Sequence, residues 1–278
     1  MQELTIVPYG GLANRMRAMN SAIEYTRTAD VPLNVIWFSN RELNADFSDL
    51  FLPPSYSDNQ IITIKQGTFL NRFLYRSPRR HTLWLPKFIA PLRFDTRIYS
   101  KEFVRLQQEG KLEKAIDKGK RVLIESCHEF GQYQSALSRN FIPCPDILTA
   151  VDEYVDKYFS SRTIGIHVRR TDNTLAIEQS PLSLFIDSMH REIEQCAETN
   201  FYVASDDISC KEELRSIFGE RILTIDTVCD RESIAGMKDA VKEMWILSRT
   251  CKIYGCFYSS YAVIASQLSD IPLHILQL

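Results

Sequence analysis

The sequence predicts an α/β protein whose parallel sheets are joined by crossover helices and divided between two domains. Three observations carry that expectation. From Pro145 onward, short apolar runs rich in β-branched and aromatic residues alternate with longer stretches of helical period, the pattern of repeated β-α units. The chain opens in the same way, with a strand, a glycine turn and an amphipathic helix. Its 278 residues exceed the usual size of one domain, and 45% apolar content suffices for two moderate cores.

In order along the chain, Leu4-Thr5-Ile6-Val7 reads as the first strand, Gly10-Gly11 as its turn, and Leu12, Met16, Met19 and Ile23 as the buried stripe of the following helix. Further strands are expected at 33–38, 61–64 and 122–125, with an irregular stretch between the last two. These elements form a first domain, 1–144. A helix near 146–159, with Ile147, Val151, Tyr154, Val155 and Tyr158 on one face, then opens a second domain, 145–278. There the strands are expected at 163–168, 201–204, 222–225, 252–255 and 272–276, with helices in every interval. Strands separated by helices pair in parallel.

Composition excludes several classes. With 33 basic and 35 acidic residues the formal charge is −2, so no global field gathers nucleic acid or anionic lipid. The seven cysteines, Cys127, Cys144, Cys196, Cys210, Cys229, Cys251 and Cys256, are odd in number and contain no C-x-x-C pair, which points to reduced thiols. No signal peptide precedes the first strand, and no apolar run approaches the roughly 20 residues of a membrane span. A cytoplasmic protein, free or at the inner face of the membrane, is expected.

Three segments could carry chemistry. Gly10 and Gly11 sit between the first strand and helix, where a residue without Cβ permits a tight turn and lets a phosphate approach backbone N–H groups. A bare Gly-Gly also makes an ordinary β-α turn. Asn14, Arg15 and Arg17 follow it, and cations at the start of a helix, where acids are favoured, need a reason.

The second segment is His167, Arg169, Arg170 and Asp172, directly after an apolar strand. Open α/β sheets bind ligands at that end of their strands. Alternation sends His167 and Arg169 to one side and Arg170 to the other, so that one arginine meets a ligand while the other braces the loop. A guanidinium fork matches phosphate oxygens and keeps its charge. The competing explanation is a surface ion pair between Asp172 and an arginine.

The third segment, Tyr258-Ser259-Ser260, lies between a strand and a helix. Its serines either cap that helix or receive a phosphate. Asp206 and Asp207 follow the strand at 201–204 and are either helix caps or site residues. Glu243 lies on a helix with Trp245, Ile246 and Leu247, and is either a surface acid or part of the site. There is no H-E-x-x-H, G-x-S-x-G, zinc-spaced cysteine and histidine set or strict D-x-D. Cationic side chains would therefore take the place of a diphosphate-bound metal.

Together these residues resemble the fucosyltransferase superfamily that contains the α1,2-, the core and nodulation α1,6-, and the protein O-fucosyltransferases. G-G-L-A-N-R-M at residues 10–16 is similar to the family's G-G-L-G-N loop, with Ala13 in place of its last glycine. H-V-R-R-T-D at 167–172 is the hexapeptide of the core α1,6 branch, and Y-V-A-S-D-D at 202–207 resembles its Y-L-A-T-D-D. Glu243 and the downstream F-Y-S-S stand where that branch has an aspartate and F-S-S.

The resemblance implies two facing Rossmann-like domains of GT-B type and inverting, metal-independent transfer of fucose from GDP-fucose to a glycan hydroxyl, in surface polysaccharide or glycoconjugate synthesis. It places the acceptor with the first domain and GDP-fucose with the second. Arg169 would contact the β-phosphate, assisted by Arg170 and Ser260, with Ser259 also in the donor-binding set. Asp172, Asp206, Asp207 and Glu243 would order the donor site, His167 would lie near guanine or ribose, and Asn14 with the Gly10-Gly11 backbone would close over the diphosphate. The branch's catalytic glutamate corresponds most nearly to Glu178, which follows the hexapeptide one residue later than in the family.

Between Asp58 and Asp95 no acid occurs, while Lys65, Arg72, Arg76, Arg79, Arg80, Lys87 and Arg93 interleave with aromatic residues. This segment, within 65–93, either contacts an anionic membrane or a lipid-linked glycan acceptor, or is a solvated loop. The other functional class is a non-catalytic GDP-sugar or glycan-binding protein on the same scaffold, since fold does not dictate function.

Overall fold

The first strand, β1 (Glu3–Pro8), buries Leu4, Ile6 and Val7 in sequence, the continuous burial of a strand covered on both faces. It is followed by α1 (Leu12–Ala29), β2 (Leu33–Trp37), α2 (Phe47–Leu50), β3 (Ile62–Gln66), α3 (Leu85–Arg93), β4 (Thr96–Ile98), α4 (Ser100–Gln108), α5 (Leu112–Lys118), β5 (Arg121–Ser126) and α6 (Leu137–Asn140). These strands form one parallel sheet in the order β3-β2-β1-β5-β4.

The structure, a computed structural model, describes residues 1–54, 61–68, 85–133, 136–171, 174–225 and 230–278, with backbone only at 85–88. Its contacts divide into two compact units, Met1–Ile142 and Pro143–Leu278.

The second unit begins with α7 (Pro145–Tyr158), where proline takes the first helical position and so removes an N–H that would have no partner. Then come β6 (Thr163–Val168), α8 (Thr174–Gln179), α9 (Leu182–Gln195), β7 (Asn200–Ser205), α10 (Ile208–Phe218), β8 (Ile222–Leu223), α11 (Ile234–Ser248), β9 (Ile253–Cys256), α12 (Ser260–Ser269) and β10 (Leu273–Leu276). The sheet order is β10-β9-β6-β7-β8, again all parallel. This is the doubly wound order of a Rossmann-like half. All six residues of β6 are buried, and Ile164, Ile166 and Val168 join Phe185, Met189, Phe201, Val203 and Leu214 in one core. A Cβ on Gly165 would lie 2.6 Å from Leu247 Cδ1 and 2.8 Å from Thr250 Oγ1, so glycine lets α11 pack directly on the central strand.

Two features differ from expectation. The strand expected at 222–225 ends at Leu223. Beyond it Thr224 Oγ1 donates to Val203 O at 2.8 Å and Lys211 Nζ donates to Ile225 O at 3.0 Å, so side chains enter where ladder bonds would have continued. The irregular stretch before β5 contains β4, three residues paired with Val122, Leu123 and Ile124.

Candidate functional site

The order of the second sheet places β6 between β9, later in the chain, and β7, the next strand. That is the topological switch point, where a crevice opens beyond the strand ends. The loops after β6, β7 and β9 meet there.

Asp206, after β7, organises the loop after β6. Its Oδ1 accepts the Arg170 N–H at 2.7 Å, its Oδ2 accepts the Thr171 hydroxyl at 2.6 Å, and Arg169 Nε stands 3.3 Å from Oδ2. Arg170 turns its guanidinium away, donating to the carbonyls of Arg169 at 3.1 Å and Ser180 at 2.8 Å. Arg170 is therefore a brace, and Arg169 is the cation held at the strand end. Asp207 caps α10, accepting the Ser209 N–H at 3.0 Å.

Ser180 is a member of this assembly that sequence reasoning missed. Fully buried, its hydroxyl accepts the Phe257 N–H at 2.8 Å and donates to Leu276 O, while its carbonyl receives Arg170. One serine thus joins the β6, β9 and β10 loops. Its only local signal is its place before Pro181, at a helix start.

His167 is 5% exposed and stacks on Tyr261, with ring centroids 4.9 Å apart and planes at 19°. The Tyr261 hydroxyl donates to Ala240 O at 2.6 Å, which ties the stack to α11. Burial, reinforced by the Arg169 charge and opposed by Asp206, lowers the imidazole pKa to about 4. His167 is thus neutral near pH 7, and its buried Nδ1 has no hydrogen-bond partner among the described residues. A neutral ring contributes one hydrogen bond there, not a counter-charge.

Ser259 occupies the N-cap of α12 with no side-chain cap bond, and no acid lies in the first turn. Tyr258 before it adopts φ 57° and is largely exposed. The start of α12 thus offers N–H groups and a positive dipole end, as an anion site requires, and the strand before it meets the β6 loop where the Arg169 N–H donates to Cys256 Sγ at 3.2 Å. Ser260 begins that helix.

Glu243 is no surface acid. It is 4% exposed and pairs with the equally buried Lys211 at 2.8 Å. Glu178 lies exposed on α8, whereas Asp172 falls outside the described residues.

In the first unit Gly10 adopts φ 86°, and a Cβ there would meet Asn14 Nδ2 at 3.0 Å, so glycine is required by conformation and by crowding. Gly11 is the N-cap of α1, again without a side-chain cap bond or an acid in the first turn. Among the described residues a Cβ on Gly11 would meet nothing within 4 Å, which leaves the backbone approachable.

Arg15 proves to be a strut. It is fully buried and donates to Gly10 O at 2.8 Å, Phe38 O at 2.5 Å and Asn40 Oδ1 at 3.0 Å. Burial lowers its pKa to about 10, against a raising pull from Glu42. Arg17 donates to Cys127 O at 2.7 Å. These two cations at the start of α1 are accounted for by loop carbonyls.

Of the basic segment, Arg72, Arg76, Arg79 and Arg80 fall outside the described residues, as do the side chain of Lys87 and that of Phe88; Lys65 is exposed. Among the described residues the six cysteines are free, no three His, Cys, Asp or Glu side chains gather as a metal would need, and no helix is long and apolar enough to cross a membrane.

No family model and no curated protein sequence matches the chain. Solved structures do. NodZ α-1,6-fucosyltransferase soaked with GDP-fucose superposes with a TM-score of 0.68 at 17% identity, over 96% of this chain and 93% of that one. NodZ from Bradyrhizobium gives 0.65 at 15% identity, over 95% and 92%. POFUT1 in complex with GDP-fucose gives 0.63 at 11%, over 100% and 99%. A mutant of FUT1 from Arabidopsis thaliana in complex with GDP gives 0.64 at 15%, over 99% of this chain and 70% of that one. With its two five-stranded parallel sheets, the chain has the GT-B-like fold that these fucosyltransferases share.

Proposed function

We propose that the chain transfers fucose from GDP-fucose to a hydroxyl of a glycan acceptor, by an inverting reaction that uses arginine in place of a metal. The observation that carries this reading is the set at the β6 switch point, where Arg169 is held by Asp206, its backbone N–H reaches Cys256 Sγ on the strand before α12, the start of α12 has no side-chain cap, and the Nδ1 of neutral His167 has no hydrogen-bond partner among the described residues. Cleavage of the sugar–phosphate bond leaves negative charge on GDP. A cation and helix-start N–H groups already in place stabilise that charge without reorganisation. Support comes also from the fold, shared with fucosyltransferases solved with GDP-fucose or GDP.

In this reading residues 145–278 bind the donor and 1–144 serve the acceptor. Arg169, Ser259 and Ser260 contact the diphosphate, and His167 contacts the nucleoside. Arg170, Asp206 and Asp207 act by holding those groups, and Glu243 acts from its buried pair. Gly10, Gly11 and Asn14 bind the donor, Glu178 takes the acceptor proton, and Asp172 belongs to the donor loop. The basic segment within 65–93 meets anionic lipid or a lipid-linked acceptor at the inner face of the membrane.

Incubation with GDP-fucose, measuring GDP release alongside calorimetric binding of GDP, tests the proposal. Turnover supports the enzyme. GDP binding without release favours a non-catalytic GDP-sugar-binding protein, and absence of both defeats either reading.

A further inference from the structure

Lys211 and Glu243 are 32 residues apart and both nearly fully buried. A charged pair taken out of water is rarely the most stable filling of a core, since apolar residues of similar volume do as well or better. The best-attested use of such a pair is to fix geometry. The ammonium has a second partner, Ile225 O at 3.0 Å, the carbonyl two residues past β8.

Lys211 lies one turn into α10 from the Asp207 cap. Helical side chains lean toward the N-terminus, so this amine reaches back toward the strand ends where the donor loops meet. Glu243 is one turn from Ala240, whose carbonyl anchors Tyr261 under His167. One cation therefore ties α10, α11 and the chain leaving β8.

We propose that Lys211 is a positioning residue for the nucleotide site. Its ammonium, oriented by Glu243, holds the Ile225 carbonyl and so sets where the chain leaves the sheet beside the Asp206 loop. This deepens the donor reading and rests on it for the ligand.

The test compares wild type, Lys211→Met, Glu243→Gln and the double variant Lys211→Met/Glu243→Gln. The single methionine removes the ammonium from a buried carboxylate and is prone to misfold. The double variant neutralises that charge, and differs from Glu243→Gln only at the amine. Between these two, GDP affinity measured by calorimetry is expected to fall about tenfold, the effect of one lost charge-assisted hydrogen bond. The kcat at saturating GDP-fucose should stay within about twofold, and amide exchange should quicken in the peptide containing Ile225 alone. Equal GDP affinity and equal exchange at Ile225 in the two variants would overturn the proposal. If wild type itself fails to bind GDP, the donor reading fails. Exchange at Ile225 then still decides the positioning claim, and an unchanged rate overturns it.

Discussion

Replacing His167 with phenylalanine should change how the stability of the chain depends on pH. In the folded state the imidazole is buried against Tyr261 with its pKa lowered to about 4, whereas in the unfolded chain it titrates near 6.5. A base whose pKa is depressed by folding binds its proton in the unfolded state first. As pH falls from 6.5 toward 4, the proton pulls the equilibrium toward unfolding. The full effect, reached below pH 4, is about 3 kcal/mol, and roughly 2 kcal/mol is already expressed at pH 5. Phenylalanine keeps an aromatic ring against Tyr261 and cannot titrate. Urea unfolding at pH 7.5 and pH 5.0, followed by circular dichroism, should therefore show wild type losing about 2 kcal/mol more than the variant over this interval. Contributions from carboxylates common to both proteins cancel in the difference. Parallel pH dependences would refute the claim that a buried, neutral histidine lies at the end of β6.

Two further outcomes are expected. Arg15→Met removes the donor of three hydrogen bonds and takes it from the Gly10 and Phe38 carbonyls, whereas Asn40 Oδ1 still accepts the Glu42 N–H at 2.9 Å. It should cost about 2–5 kcal/mol by urea unfolding, from roughly 1–3 kcal/mol for each of the two carbonyls, and a loss below about 1 kcal/mol would show that Arg15 is not the strut of the glycine loop. Changing Arg76, Arg79 and Arg80 to alanine should weaken sedimentation with anionic liposomes by roughly 1 kcal/mol per charge near the surface. Unchanged binding would remove the membrane contact.

The β-α alternation of the second unit was legible because each of its signals is local. An apolar run such as 163–168 and a helical stripe such as Val241, Met244, Trp245 and Leu247 depend only on near neighbours. β8 was misjudged in length because beyond Leu223 the Val203 carbonyl is taken by the Thr224 hydroxyl and the Ile225 carbonyl by Lys211, where ladder bonds would have continued. β4 escaped notice because three residues with only Ile98 buried carry no alternation, and their pairing with β5 is a property of the sheet.

At the candidate site, the residue types and their placement at strand ends were legible from sequence, and so was a difference between the two arginines, of which Arg170 braces the loop while Arg169 pairs with Asp206. Which arginine braces was decided by Ser180, ten residues on, and by Asp206, 36 residues away. The burial of Glu243 depended on Lys211, and the neutrality of His167 on the cover of Tyr261. Periodicity and motif determined that this chain builds two parallel sheets and gathers cations at a switch point, because those features are written in adjacent residues. Tertiary structure alone decided which charges are paired, which are desolvated and which N–H groups stay open, because those depend on partners brought together from distant parts of the chain.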